Sequence, residues 1–296
     1  NFTQGDRLSL EAYQLIFREQ RVVDEVMAVL THLFRTARVP LWVLEFRGAF
    51  GAMDVLGMCK LIIRFCVGFL RNNVANKEYM VSQGYLPLLQ ELLGSDIKAA
   101  NAISEIYADN LAQIRQVTTS EIERYISLLR RDKRPRFLHF LDVICAHGGT
   151  PLPRNQNMVT DILLGSDPST IDAVLLKPRV VLGEESTELW LTGTIGGEDV
   201  DVSCSEFLNL GDFLMSADTS ELTSTELALV FQAMSLDLFC TLCRNRNRKA
   251  TDALLRNAER LCITYPILRA LTFDNHIPEF LRARYANLIM ALYLDR

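Results

Sequence analysis

Two stretches of this chain decide its fold: IIRFCVGFLRNNVANKEYMVSQGYLPLLQELL (residues 62–93) and LDLFCTLCRNRNRKATDALLRNAERLCITYPILRAL (residues 236–271). Both place Phe-Cys in an apolar helical run, then Arg-Asn, then a basic residue, and then two further short helical patterns. Repetition at the scale of a few helices is typical of armadillo-type solenoids, in which each unit buries the apolar face of its neighbour. The sequence therefore predicts an all-α fold built of armadillo-like helical repeats.

The pattern changes in the middle of the chain. Residues 55–71 are apolar on nearly every side, which predicts a buried central helix. Residues 188–203 instead alternate weakly around Gly196-Gly197, which predicts a small β-hairpin insert that leans on helices, with a short helix after it. We therefore divide the chain into a first armadillo-like helical unit (residues 1–178), a linker with the β-hairpin and short helix (179–222) and a second helical unit (223–296).

The composition is that of a soluble globular protein, since 49% of the 296 residues are hydrophobic and 23% are charged. A net charge of −5 argues against a nucleic-acid binder. No apolar run reaches the ~18 residues typical of a membrane span, so we expect none in this chain. The seven cysteines lack regular spacing, which indicates reduced thiols in a cytosolic protein. Because the chain opens on Asn1 and not on Met, we expect a fragment of a longer protein.

The residues that could carry chemistry do not form a known catalytic or metal-binding motif. Cys240-Thr241-Leu242-Cys243 is a CxxC without a second ligand pair, and we interpret it as two core thiols. The four histidines have no second ligand at metal spacing and no nucleophile motif beside them: His32, His139, His147 and His276. We predict no catalytic residues, no metal and no cofactor, and an enzyme is the least favoured of three hypotheses.

The densest charge cluster lies at residues 130–136, at the end of a predicted helix. Its five bases are Arg130, Arg131, Lys133, Arg134 and Arg136. One interpretation is a solvated corner between helices, and the other is a docking patch for an acidic surface or a polyphosphate. A second basic run at residues 244–249 occupies the equivalent corner of the later repeat, which favours an architectural origin for both.

A family resemblance rests on TTSEIERYISLLRRDKRPRFLHFLDVICAHGGTPLPRNQNMVTDILL, residues 118–164. Glu121-Ile122 opens a helix, Arg134-Pro135-Arg136-Phe137-Leu138 follows, and Asn155-Gln156 comes after a proline-containing loop. This order resembles the homology region shared by inositol trisphosphate receptors and ryanodine receptors, and residues 188–191 and 270–296 resemble later elements of it. The resemblance implies a regulatory armadillo-like segment of a tetrameric calcium-release channel, on the cytosolic face of the endoplasmic reticulum, with other channel domains and subunits as partners.

The resemblance also identifies candidate ligand contacts. In that family the first helical unit supplies half of the inositol trisphosphate site, and a β-trefoil supplies the rest. Only Arg18 and Lys77 match its phosphate-binding positions, because residues 11–17 carry no base and the 72–77 loop is nearly neutral. A triply phosphorylated ligand needs several clustered bases. We therefore expect this segment to relay a signal rather than bind the ligand, and the alternative is a free-standing armadillo-type adaptor for a peptide or protein.

Overall fold

The structure is a computed structural model that describes residues 4–36, 55–165, 167–183, 186–208 and 222–295. Internal contacts divide the chain into two compact units, Asn1–Gln116 and Val117–Arg296. Helices dominate both units, and the described sheets lie in the second. The predicted all-α fold with a small β insert is confirmed at this level.

The first unit is built around a helix that is apolar on most sides. Its helices are α1 (Gln4–Glu19), α2 (Val22–Thr31, continued by a π turn at His32–Thr36), α3 (Val55–Leu70), α4 (Val74–Ser82), α5 (Tyr85–Glu91), α6 (Ala99–Tyr107) and α7 (Leu111–Ile114). Ile63, Cys66 and Leu70 of α3 are almost fully buried, and α6 packs against this helix. The predicted central helix of residues 55–71 is thus confirmed.

The second unit has an equivalent central helix. Its helices are α8 (Thr119–Arg131), α9 (Pro135–Val143), α10 (Pro153–Leu164), α11 (Pro168–Val174), α12 (Ser224–Cys243), α13 (Arg248–Arg256), α14 (Tyr265–Phe273) and α15 (Glu279–Ile289, continued by a π turn at Met290–Leu294). A capping box of Thr223 and Glu226 begins α12, which packs against α9 and α15. By length and apolar composition α12 could also cross a membrane, but 78% of its apolar window is buried inside the protein, as in a core helix.

The β insert has one strand more than the sequence predicted. Strands β3 (Lys177–Leu182), β4 (Thr187–Ile195) and β5 (Glu198–Ser203) form an antiparallel sheet in the order β3-β4-β5, and the two-residue strands β1 (Ala146–His147) and β2 (Thr150–Pro151) form a separate hairpin. The predicted hairpin did not include β3, because the alternation at residues 188–203 marks only β4 and β5. Pro178 lies in an edge strand, where its missing N–H is tolerated.

The sheet turns one face towards α12. Leu189, Leu191 and Ile195 of β4 are buried, and so is Val202 of β5. The predicted short helix after β5 appears only as a single 3₁₀ turn at Cys204–Phe207, and the rest of that prediction lies outside the described residues. The predicted division into a helical unit of residues 1–178, a linker of residues 179–222 and a helical unit of residues 223–296 stays a prediction.

Candidate functional site

A buried glutamine closes the turn between α3 and α4, and we name this arrangement the Gln14 corner. Gln14 of α1 is 2% exposed, and its Nε2 donates to the carbonyl oxygens of Gly68 (2.8 Å) and Arg71 (3.0 Å) at the end of α3. Asn73 Nδ2 donates to Gln14 Oε1 at 3.0 Å, and Asn73 Oδ1 accepts from the backbone N–H of Asn76 as the N-cap of α4. The glutamine thus supplies donors to carbonyls at a helix end.

The same arrangement recurs in the second unit, where we name it the Gln156 corner. Gln156 of α10 is fully buried, and its Nε2 donates to the carbonyl oxygens of Thr241 (2.7 Å) and Arg244 (3.4 Å) at the end of α12. Asn247 Oδ1 accepts from the backbone N–H of Ala250 as the N-cap of α13. Two parts of the chain therefore use a glutamine and an asparagine to join three helices.

The residue before each asparagine N-cap has a similar backbone conformation. Asn72 precedes the first N-cap with φ 56°, and Arg246 precedes the second with φ 55°. Both lie in the left-handed region, which non-glycine residues seldom adopt and which asparagine tolerates best. The conformation before the N-cap is thus shared, and the second corner adds another left-handed residue, Asn245 (φ 59°).

Arg18, the first candidate phosphate contact, lies in the last turn of α1 beside the Gln14 corner. Its Nη1 donates to Asn76 Oδ1 at 3.1 Å, and its Nε lies 3.9 Å from the carboxylate of Glu19. Asn76 is itself fixed, because its Nδ2 donates to the carbonyl oxygen of Phe69 at 2.8 Å. Arg18 therefore joins α1 to α4, with a quarter of its side chain exposed.

Lys77, the second candidate, points into the first unit. It is 2% exposed, and its Nζ donates to the carbonyl oxygen of Ala108 at 2.6 Å, at the end of α6. A helix C-terminus favours a positive charge. Burial lowers the pKa of Lys77, and the charges of Glu105 and Asp109 oppose that shift. Phosphate binding by Arg18 and Lys77 stays a prediction, and the structure places both against protein groups.

The basic cluster forms the turn between α8 and α9, which we name the basic corner (residues 130–136). Arg130 is exposed, and its Nη2 donates to Thr170 Oγ1 at 3.0 Å. Arg131 is also exposed. The guanidinium of Arg136 lies 5.1 Å from the ring centroid of Phe137. Arg130 and Arg136 therefore lie at one corner but contact different groups, and the predicted docking role of the cluster stays a prediction.

An aspartate inside the cluster connects the basic corner to the sheet. Asp132 Oδ2 accepts from Arg134 Nε at 2.7 Å, and Asp132 Oδ1 accepts from the backbone N–H of Gly196 at 3.1 Å. Gly196 lies in the β4–β5 turn with φ +64°, and a Cβ there would lie 3.6 Å from the Arg134 guanidinium. The turn therefore docks on the corner, as expected for a small sheet that leans on helices.

Lys133 is the member of the cluster that is turned inwards. It is 9% exposed, and burial lowers its pKa. The nearby charge of Lys177 in β3 lowers that pKa further, while Asp132 opposes the shift. Sequence reasoning did not single out Lys177, because only the packing of β3 brings it near the basic corner.

Two further polar residues were visible in the sequence only as part of a motif. Asn155-Gln156, which helped to carry the family resemblance, is buried at the start of α10. Asn155 Nδ2 donates to the carbonyl oxygen of Ile144 at 2.8 Å, just past the end of α9. The motif therefore places adjacent amide side chains against the ends of α9 and α12. Gln14 was missed, because its partners Gly68 and Arg71 lie 54 and 57 residues further along the chain.

The described residues hold few groups arranged for reaction. Among them, no group of three or more His, Cys, Asp or Glu side chains comes together as metal ligands would. Desolvation raises the pKa of Cys240 to about 12 and that of Cys243 to about 11. Thiols that stay protonated are poor nucleophiles. The hydrogen bonds of the two glutamine corners instead hold helix ends together.

Comparison with known proteins places the chain in a family. A family model described as the RIH domain matches residues 6–173, more than half of the chain. "Inositol 1,4,5-trisphosphate receptor-like protein A" of Dictyostelium discoideum is 22% identical over 191 residues, covering 64% of this chain and 5% of that protein. "Inositol 1,4,5-trisphosphate receptor itr-1" of Caenorhabditis elegans is 21% identical over 295 residues, covering 96% of this chain and 9% of that protein.

The chain thus spans less than a tenth of the length of either curated relative. The match to residues 6–173 includes the Gln14 corner, the basic corner and the Asn155-Gln156 motif. The chain belongs to the RIH domain family, the homology region of inositol trisphosphate and ryanodine receptors.

Proposed function

We propose that this chain is a regulatory scaffold segment of an inositol trisphosphate receptor-like calcium-release channel. It would lie on the cytosolic face of the endoplasmic reticulum membrane and contact other domains and subunits of a tetrameric channel. The observation that carries this proposal is the match of the RIH domain to residues 6–173, with relatives that are named as inositol trisphosphate receptors. In this role the segment relays movement of a ligand site to the pore by rigid-body motion of packed helices.

The proposed architecture is an armadillo-like solenoid. Its support is the recurrence of one joint, in which a buried glutamine closes the end of a central apolar helix and an asparagine begins the next helix. A joint of this kind fixes the angle between helices, because buried amide hydrogen bonds are costly to break. Stiff joints suit a segment that transmits a movement.

The same contacts support relay rather than ligand reception. Lys77 is buried with its ammonium on a carbonyl oxygen, and Arg18 is hydrogen-bonded to Asn76. A ligand that carries three phosphates needs several bases that are free to turn towards it. We therefore expect little or no inositol trisphosphate binding from Arg18 and Lys77.

Calorimetry tests the ligand part of this proposal. Inositol trisphosphate is titrated into the full-length protein that carries this chain, as wild type, as Arg18→Gln and as the control Arg35→Gln, whose residue pairs with Glu91 at 2.8 Å elsewhere in the first unit. We expect the three proteins to give the same result. Tight binding that Arg18→Gln abolishes and Arg35→Gln leaves intact would make this chain part of the ligand site.

Calcium flux tests the relay part. Vesicles of endoplasmic reticulum that contain the full-length protein are loaded with calcium and exposed to inositol trisphosphate. We expect Gln156→Leu to reduce calcium release without weakening ligand binding, and Asn287→Leu, at an exposed position of α15, to leave release unchanged. A full-length protein that releases no calcium under any condition would favour the adaptor hypothesis.

A further inference from the structure

The outer side of α14 carries large side chains that face solvent. Tyr265 is 46% exposed, and Phe273 is 76% exposed, more than any other large hydrophobic side chain in the described part of the chain. Arg269 lies midway between them in sequence and is also exposed. Residues four apart are neighbours on one side of a helix, so the three residues form a stripe about 12 Å long, which we name the α14 stripe.

Both ends of the α14 stripe are held in place by the second unit. The ring of Tyr265 packs edge-on against the ring of Tyr293, with the ring centroids 5.4 Å apart. Directly after Phe273, the carboxylate of Asp274 accepts a hydrogen bond from the backbone N–H of Thr187. A partner can therefore meet the two aromatic residues on a fixed helix, which lowers the entropy cost of binding.

The cation in the middle of the α14 stripe has no counter-charge of its own. Arg269 makes no ion pair and no side-chain hydrogen bond with another described residue. Other exposed arginines of the same unit do, since Arg260 pairs with Asp172 at 3.0 Å and Arg246 pairs with Asp295 at 3.2 Å. A guanidinium recognises a carboxylate through parallel hydrogen bonds, and arginine and tyrosine are enriched among the residues that dominate binding at interfaces.

We propose that the α14 stripe docks an amphipathic helix of a separate protein. That helix carries two apolar residues eight positions apart, which contact Tyr265 and Phe273, and an acidic residue midway, which pairs with Arg269. A stripe of about 12 Å suits a short helical motif that binds reversibly better than a permanent domain interface. Anionic lipid surfaces attract clusters of bases, whereas the stripe offers one, which favours a protein over a membrane. The docking does not depend on the proposed channel function.

Fluorescence anisotropy with the full-length protein and a labelled probe peptide tests this docking. The probe is an alanine-based helix of about 18 residues that carries Leu-x3-Glu-x3-Leu, a pattern that reads the same in both directions. Wild type is compared with Phe273→Ser and Arg269→Glu, and with the controls Leu61→Ser and Arg64→Glu at exposed positions of α3. We expect the first two variants to bind at least about tenfold more weakly and the controls to bind as wild type does.

A charge exchange tests the carboxylate pairing directly. A second probe with lysine in place of the glutamate should bind Arg269→Glu more tightly than it binds wild type. No binding of the first probe to wild type, wild-type affinity in Phe273→Ser, or equal affinity of wild type for both probes would overturn the proposal. Self-association of the full-length protein that Phe273→Ser abolishes would assign the stripe to a second copy instead. Binding of phosphatidylserine vesicles that Arg269→Glu abolishes would assign it to a lipid surface, and either result would also overturn the proposal.

Discussion

The Gln14 corner and the Gln156 corner close equivalent helix ends with different completeness. In both, a buried glutamine donates to carbonyl oxygens at the end of an apolar helix. In the first corner, Asn73 Nδ2 also donates to Gln14 Oε1 at 3.0 Å. In the second, Gln156 Oε1 and Asn247 Nδ2 are buried and have no hydrogen-bond partner among the described residues. The first corner is thus the fully satisfied version of the joint.

The surroundings of the two corners differ at matching positions. Four residues after the glutamine, the first corner has Arg18 and the second has Thr160; four residues after the asparagine, they have Lys77 and Thr251. The glutamine and asparagine are therefore the shared architecture, and the two cations are an addition to the first corner. The glutamine and the asparagine therefore build the joint, whereas Arg18 and Lys77 are the candidate phosphate contacts that only the first corner carries.

The largest expected effect is the loss of the complete joint. Gln14→Leu leaves the carbonyl oxygens of Gly68 and Arg71 and the Nδ2 of Asn73 without their partner. We expect it to lower the free energy of unfolding by about 2–4 kcal/mol. Urea unfolding measures this, with Gln83→Leu as the control because Gln83 is exposed. If both variants lose the same small amount, the Gln14 corner does not hold the first unit together.

The incomplete joint should matter less. Gln156→Leu removes one short hydrogen bond, to Thr241 at 2.7 Å, and one long one, to Arg244 at 3.4 Å. It also removes an oxygen that is buried without a partner among the described residues, so we expect a loss of about 1–2 kcal/mol. Urea unfolding beside the exposed control Asn287→Leu checks this value. A loss larger than that of Gln14→Leu would reverse the ranking of the two corners.

Local features of the fold could be predicted from the sequence, and long-range partners could not. The apolar run of residues 55–71 and the alternation at 188–203 appear as a central helix and a hairpin, because both patterns are local. Strand β3 was missed, because its own residues do not indicate that it pairs with β4. Gln156 lies 85 residues from Thr241, so its sequence neighbours do not reveal its partner.

The long-range partners of the candidate-site residues could not be predicted from the sequence either. The five bases of the basic corner were visible as a cluster, but Asp132 reaches a glycine 64 residues away. Lys77 was recognised by family position, and its burial against Ala108 depends on the packing of α4 and α6. Charge in the sequence therefore locates a candidate residue, and packing decides whether that charge faces a ligand or a helix end.

A smaller effect distinguishes the two asparagines. Asn73 is hydrogen-bonded to Gln14 through its side chain, so a double-mutant cycle of Gln14→Leu with Asn73→Ala should give a coupling of about 1 kcal/mol. The equivalent cycle of Gln156→Leu with Asn247→Ala should give about zero on the same scale, because these side chains are not hydrogen-bonded to each other. Equal coupling in both cycles, measured by urea unfolding, would mean that the two corners are equally closed in solution.

The smallest expected effect is the pH dependence that Lys77 gives the first corner. Burial lowers the pKa of Lys77, so the folded state releases this proton at a lower pH than the unfolded state does. The cost of burying the ammonium is complete below the lowered pKa and falls as the pH rises from there towards about 10.4, the ordinary lysine value. Wild type should therefore gain stability relative to Lys77→Met across that window. Thr160→Val in the second corner removes no titrating group, so its difference from wild type should stay constant. Urea unfolding of the three proteins from neutral to alkaline pH measures both differences, and a wild-type advantage that shrinks with rising pH would show that Lys77 is stabilised in its charged form.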